Sequence, residues 1–182
     1  MTILARKLRS TQGAEIAEAA LVLPVVFVFL LGIVWFGRAF NIYSTIQQAA
    51  QQGAIAAARP SCAGCGNTFQ GHRQVSLVVE TVMNASSLDT SKIIANAPST
   101  PVFCQPPYPS GSCKTTHNNI SVCSNLLLNP SAPGATSPPA NQAPICGVQV
   151  NFQYPFQLNL PFTSLNLSNI ILTAQAQSRM ED

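Results

Sequence analysis

An unbroken apolar run at residues 19–37, AALVLPVVFVFLLGIVWFG, constrains the fold of this chain more than any other feature. The run has no charged side chain, and Glu18 and Arg38 flank it. As a helix with a rise of about 1.5 Å per residue, it would nearly cross a hydrocarbon core of about 30 Å. The sequence therefore predicts one membrane-spanning helix near the N-terminus.

The charges around this run predict its orientation. Arg6, Lys7 and Arg9 precede it, and Trp35 lies near its other end. Basic residues favour the cytoplasmic side, and aromatic residues favour the membrane interface. We therefore expect a cytoplasmic N-terminus and an extracytoplasmic C-terminal part. A cleaved secretory signal is the alternative, but its apolar region is usually only about 7–15 residues long.

The helical pattern continues beyond the membrane. Apolar or small residues recur at three- and four-residue steps from Phe36 to Ala57, and Pro60 follows. This spacing predicts one transmembrane and stalk helix over residues 14–58, with a kink at Pro24, where the helix loses a backbone donor. Its many glycines and alanines would allow close approach of a second helix.

The cysteines are confined to the C-terminal side of the apolar run. Their even number and position favour disulfides in an oxidising compartment, although six cysteines allow 15 pairings. We predict structural disulfides, with the pairing open, for Cys62, Cys65, Cys104, Cys113, Cys123 and Cys146.

A C-x-x-C motif lies directly after the predicted helix, at Cys62 and Cys65. Three interpretations stay open: a structural disulfide, a redox pair or half of a zinc site. A redox motif usually lies near a βαβ pattern, and a zinc site needs further ligands at suitable spacing. His72 and His117 do not supply such a pair, so the structural interpretation is favoured and no metal site is predicted.

The rest of the chain predicts an extracytoplasmic α+β domain over residues 59–182, after a basic leader at 1–13. A second helix is indicated at 71–88, and long Pro- and Ser-rich loops at 97–144 contain one strand candidate at 119–128. Strict alternation at 148–162 predicts a strand that prolines break or confine to an edge. A further strand at 170–177 would pair with it antiparallel, and the small sheet would pack on the long helix.

Composition argues against catalysis and nucleic-acid binding. Charged residues make up only 8% of the chain, and the basic ones are scattered, so no nucleic-acid partner is predicted. Glu80 and Asp89 are the only carboxylates between Arg38 and Glu181. Paired-carboxylate chemistry therefore has no candidates, and we predict neither an enzyme nor a cofactor.

The N-terminal residues resemble a known signal. Gly13, then Glu18 five positions later, then an apolar helix resembles the class III signal of type IV pilin precursors. The longer stretch 13–59, with Pro24, a Gly-Arg pair after the apolar run and an alanine-rich stalk, is similar to the TadE-like family. These proteins are minor pilins or pseudopilins of the tight-adherence, Flp-type pilus system.

The resemblance implies a function and partners. A prepilin peptidase would cut between Gly13 and Ala14 in the bacterial inner membrane. Glu18 would then guide assembly with other pilin subunits at the pilus assembly platform, by meeting the free amine of a mature N-terminus. The simpler interpretation is that Glu15 and Glu18 only favour the positive end of the helix dipole.

Two other functions remain as alternatives. One is a single-pass, membrane-anchored binding module that does not polymerise. The other is a membrane-tethered thiol oxidoreductase that uses Cys62 and Cys65.

Overall fold

The computed structural model describes residues 11–59, 71–98, 100–106, 110–159 and 166–180, without the side chains of 11–14, 158–159 and 166–169. The chain divides into two compact units, Met1–Phe40 and Asn41–Asp182. This division at residues 40/41 does not coincide with the predicted boundaries at 13/14 and 58/59, so the leader, helix and extracytoplasmic domain remain predictions.

The predicted long helix is present. Helix α1 runs over Thr11–Ala58, three residues earlier at its start than predicted and with the predicted end. Its N-terminal part lies in the first unit, and its residues from Asn41 onward contribute to the second.

The second unit is an α+β fold, as the sequence predicts. Helix α2 (His72–Ala85) is followed by a short 3-10 helix (Thr90–Lys92), and then by the strands β1 (Ser112–Thr115), β2 (Ser121–Leu127), β3 (Cys146–Asn159) and β4 (Asn166–Arg179). The strands form one antiparallel sheet in the order β1-β2-β3-β4.

The alternating sequence of β3 produces the expected buried face. Val148, Val150 and Phe152 are fully buried, and Tyr154 and Phe156 are nearly so. The polar residues of the opposite face are not all exposed, because Gln149 and Asn151 are also buried. Their amides bond one another at 3.1 Å, which satisfies polar groups that burial would otherwise penalise.

The sequence predicted that prolines would either break β3 or confine it to an edge. At Pro155 the strand is not broken, and the proline nitrogen faces a side of β3 that carries no neighbouring strand there within the described residues. Gln153 exchanges backbone hydrogen bonds with Ile94 on the side away from β4. Because N–H groups two residues apart in a strand point the same way, the nitrogen of Pro155 faces that side as well. The described part of β2 ends its pairing at Asn151, so no ladder bond is lost and β3 continues through the proline.

Strand β1 lies within the stretch predicted as loops, and the sequence prediction did not include it. It pairs with β2, which is the strand candidate of that stretch and is buried along its whole length. Cys113 and Cys123 lie opposite each other in this pair and form a disulfide. A second disulfide joins Cys104 to Cys146 at the start of β3.

The core of the second unit joins the C-terminal part of α1 to α2 and the sheet, and the sheet was predicted to pack on the long helix. One cluster contains Ile46, Ala50 and Ala54 of α1 together with Val75 and Val79 of α2. It continues onto the sheet through residues that are all fully buried: Val122, Val148, Val150, Phe152 and Ala174. Small side chains on α1 bring its backbone close to both partners.

Candidate assembly helix

The part of α1 in the first unit presents its large apolar side chains to the surroundings. Leu21 is 73% exposed, Phe29 70% and Phe36 80%. One described helix, within Glu15–Ala58, is long and apolar enough to cross a membrane, with a mean hydropathy of 2.8 over its most apolar window. None of that window is buried within the chain. A surface of this kind needs lipid or another protein around it.

The predicted processing and assembly residues lie at the start of this helix. Gly13 and Ala14 fall in its first turn, two and three positions after Thr11. Glu15 and Glu18 are both exposed on the following turns. Glu18 directly precedes the apolar run, so a carboxylate stands at the point where the helix would enter hydrocarbon.

Pro24 lies inside α1 and is exposed. A proline has no N–H, so the carbonyl of Ala20, four residues earlier, loses its helical donor. The helix is nevertheless continuous through this position. The kink at Pro24 stays a prediction.

Arg38 marks the other end of the apolar run. Its guanidinium carbon lies 5.9 Å from the centroid of the Trp35 ring, on the preceding turn of the same helix. This is the outer limit of a cation–π contact, and it holds an amphipathic ring beside a cation. Such a pair suits the boundary between hydrocarbon and water, where tryptophan is favoured.

The small residues of α1 divide into two groups. Ala49, Ala50, Ala54 and Ala57 are buried in the core of the second unit, so they are used within the chain. A Cβ added at Gly32 or Gly37 would meet nothing within 4 Å. Gly32 and Gly37, in the apolar run, therefore stay open to the close helix approach that the sequence suggested, whereas these four alanines do not.

The two histidines, 45 positions apart in sequence, border one cavity of about 470 Å³ together with Arg73, Ser76 and Thr116. Burial, and to a lesser extent Lys114, lower the pKa of His72 below its usual value. A cation and two hydroxyls complete the lining, and these do not favour a metal ion. In the described part of the chain, no group of three or more His, Cys, Asp and Glu side chains could hold a metal.

The structure assigns four of the six predicted disulfide cysteines. Cys104, Cys113, Cys123 and Cys146 form the two bonds given above. The C-x-x-C motif at 62–65 lies outside the described residues, so its three interpretations stay as the sequence left them.

Comparison with known proteins addresses the N-terminal helix. The model of the family described as TadE-like protein matches residues 13–54. No curated protein and no solved structure matches the chain. The matched segment begins at Gly13, covers the whole apolar run and ends inside the core-forming part of α1. This segment of the chain is similar to the TadE-like family, whose members are pilus-associated structural proteins.

Proposed function

We propose that this protein is a minor pilin or pseudopilin subunit of a tight-adherence type IV pilus or secretion apparatus, processed after Gly13 and assembled through α1. The observation that carries the proposal is the coincidence of two boundaries. The family match begins at Gly13, and the exposed apolar surface of α1 begins only a few residues later. Cleavage at Gly13 would leave that whole surface at the new N-terminus.

Glu18 has a physical reason to act in assembly. A carboxylate moved into hydrocarbon without a partner costs several kcal/mol, of order 3 or more for an acidic residue at the centre of a membrane. A cation beside it removes much of this cost. Cleavage before Ala14 creates a free amine at a helix N-terminus, four residues from Glu18, and a neighbouring subunit would carry another.

The proposal places the protein in the bacterial inner membrane, with its N-terminus in the cytoplasm and the second unit outside. The basic residues before α1 and the disulfides after it favour the same orientation. Its partners would be a prepilin peptidase, other pilin subunits and the pilus assembly platform. No residue is proposed to act in catalysis.

Mass spectrometry of the intact protein tests the processing step. The full chain is produced in cells with and without a prepilin peptidase of a tight-adherence system. We expect an N-terminus at Ala14 only when the peptidase is present, and an uncut chain for Gly13→Val, because a branched side chain would replace the hydrogen of Gly13 beside the scissile bond.

The control is Gly32→Val, a matched substitution in the same helix, which should still be cut. An N-terminus at Met1 or Thr2 in the presence of the peptidase would contradict the proposal, and so would one beyond Arg38. The first of these results, together with a stable monomer in detergent, would favour a membrane-anchored module that does not polymerise.

A further inference from the structure

Strand β4 is one edge of the sheet, and its backbone direction follows from the neighbouring strand. Gln153 directs its N–H and C=O toward Ile94, away from β4. Its partner in β4, Thr173, therefore belongs to a pair without mutual hydrogen bonds, and its own peptide groups face away from the sheet. The same holds for every second residue: Ile171, Gln175, Gln177 and Arg179.

One of these outward-facing groups is already used. The side-chain amide of Gln47, on α1, donates to the carbonyl oxygen of Thr173 at 3.0 Å. Within the described residues, the outward-facing N–H and C=O groups at 175, 177 and 179 have no backbone partner beyond β4. Exposed side chains at these three positions leave the edge open to another strand.

The edge lacks the features that usually prevent strand pairing. Proteins blunt edge strands by shortness, by charge or by proline. The opposite edge, β1, has four residues and carries Lys114. By contrast, β4 has 14 residues, contains no proline, and reaches its first charged residue only at Arg179.

Polar side chains connect this edge to the rest of the sheet. The amide of Gln177 donates to Gln149 at 3.2 Å, and the amide of Gln149 donates to Asn151 at 3.1 Å. Each amide both donates and accepts, so the row can continue onto another glutamine beside Gln177. This row of amides ends at Gln177, because β4 is the last strand of the sheet.

We propose that two copies of this chain pair through β4, antiparallel and about a two-fold axis at Gln177. In this register the two Gln177 residues face each other, and Gln175 of each copy lies opposite Arg179 of the other. These are the outward-facing positions, so each pair exchanges two backbone hydrogen bonds. Thr173, whose carbonyl is bound by Gln47, lies toward the end of the paired segment.

The pairing is self-complementary, as a two-fold interface requires. Glutamine meets glutamine on the axis, and the two arginines lie at opposite ends, each against a glutamine and not against each other. Between them, Ala176 lies opposite Ser178 of the other copy, and both are small. The interface uses the sheet alone, and it does not depend on processing or on the membrane part of α1.

Cysteine cross-linking on the full chain in membranes tests the register. Two copies of residue 177 would be adjacent, so Gln177→Cys should give a disulfide-linked dimer on a non-reducing gel. Thr173→Cys is the matched control, because residue 173 is also exposed and lies on the same face of the same strand. In the proposed register its two copies lie eight residues apart, or about 26 Å, so it should not cross-link.

The parent chain, run on the same gel, shows how much dimer the native cysteines form without the added one. A dimer from Thr173→Cys, or none from Gln177→Cys, would overturn the proposal. This outcome is independent of the N-terminus found by mass spectrometry, so failure of the edge pairing and failure of the pilin assignment are distinguishable.

A proline substitution tests the backbone hydrogen bonds. Gln177→Pro removes an outward-facing donor from each copy and leaves the β3–β4 ladder intact, so the chain should fold and dimerise about tenfold more weakly. Gln177→Ala keeps the N–H and should retain most of the dimer. Equal dimerisation of the proline and alanine variants, measured by light scattering in detergent, would contradict the interface.

Discussion

Gly53 of α1 lies so close to Val79 of α2 that a Cβ at position 53 would stand 2.7 Å from the Cγ2 of Val79. The same Cβ would lie 3.5 Å from Val75 and 3.8 Å from Val150 of β3. Gly53 therefore lies against both the second helix and the sheet, with no room for a side chain. The absence of a side chain there allows all three elements to share one core.

We predict that Gly53→Ala destabilises the second unit. An alanine gains up to about 1 kcal/mol of helix propensity, but overpacking a rigid core costs about 1–3 kcal/mol. The branched side chain of Val79 cannot turn away freely, so we expect a net loss of about 1 kcal/mol in the free energy of unfolding. Denaturant unfolding in detergent measures it.

Gly37→Ala is the matched control, because its Cβ would meet nothing within 4 Å. It should leave the unfolding of the second unit unchanged. Equal unfolding midpoints for the two variants would show that Val79 yields without cost.

Much of this architecture could be predicted from the sequence, because two periodicities are strong. The apolar run and its helical continuation indicate α1 up to Ala58, and strict alternation indicates β3 and its buried face. Strand β1 escaped prediction because four residues, Ser112–Thr115, are too few to show a period. The core contact of Gly53 carries no local signal either, since a glycine among alanines looks the same whether or not another helix lies against it.

The disulfide pairing also needed the fold. Cys113 and Cys123 become partners only because β1 and β2 pair in one register, and that register is set by a turn. Cys104 approaches Cys146 because its backbone N–H donates to the carbonyl oxygen of Asn125 in β2. Strand β2 pairs with β3, and Cys146 is the first residue of β3. These are contacts between segments with little apolar periodicity, so neither composition nor spacing could choose among the 15 possible pairings.

The two disulfides should contribute unequally to stability. The Cys104–Cys146 bond closes a loop with a sequence separation of 42, and the Cys113–Cys123 bond one of 10. In the chain-entropy model, a longer loop restricts the unfolded chain more, which gives about 4 and about 3 kcal/mol, respectively. We expect Cys104→Ala with Cys146→Ala to lower the free energy of unfolding by about 1 kcal/mol more than the other double variant.

Unfolding of both double variants under non-reducing conditions measures this difference. The opposite order would show that the Cys113–Cys123 bond acts mainly in the folded state, by holding β1 on the sheet.

The bond between Gln47 and Thr173 should contribute measurably to stability. The donor lies on α1 and the acceptor on β4, 126 residues later. A hydrogen bond of this kind typically contributes about 0.5–1.5 kcal/mol. We expect that loss for Gln47→Ala and a change near zero for Gln48→Ala, the exposed neighbour on the same helix. Similar unfolding midpoints for the two variants would show that water replaces the bond.

The pH dependence of stability should include a contribution from His72. Burial, followed by the charge of Lys114, lowers the pKa of His72 in the folded chain. The unfolded state therefore binds more protons near the ordinary pKa of 6.5, and by linkage the stability falls as the pH falls through that value and toward the folded pKa. Above the ordinary pKa, this contribution to stability is fully present.

Thermal melts between pH 8 and pH 5 measure this dependence. His72→Gln should flatten the profile, and Lys114→Gln should flatten it partly, because the smaller of the two causes is removed. Identical profiles for His72→Gln and the parent chain would exclude His72 as a source of acid sensitivity.

Glu18 and Glu15 provide the sharpest test of the proposed assembly, because they are two exposed carboxylates three residues apart on the same helix. If Glu18 pairs with a subunit's N-terminal amine, Glu18→Gln removes the charge but keeps the shape and a hydrogen-bonding side chain. We expect it to reduce incorporation into sheared pili or pseudopili at least tenfold, a loss of about 1.4 kcal/mol or more. Membrane insertion should stay normal, since the apolar run is unchanged.

Glu15→Gln is the control, and it should incorporate at parental levels, because no partner is proposed for Glu15. If both carboxylates only favour the positive end of the helix dipole, the two variants should instead show the same small effect. Immunoblots of the sheared and membrane fractions separate these outcomes, and equal incorporation of the two variants would remove Glu18 from the assembly interface.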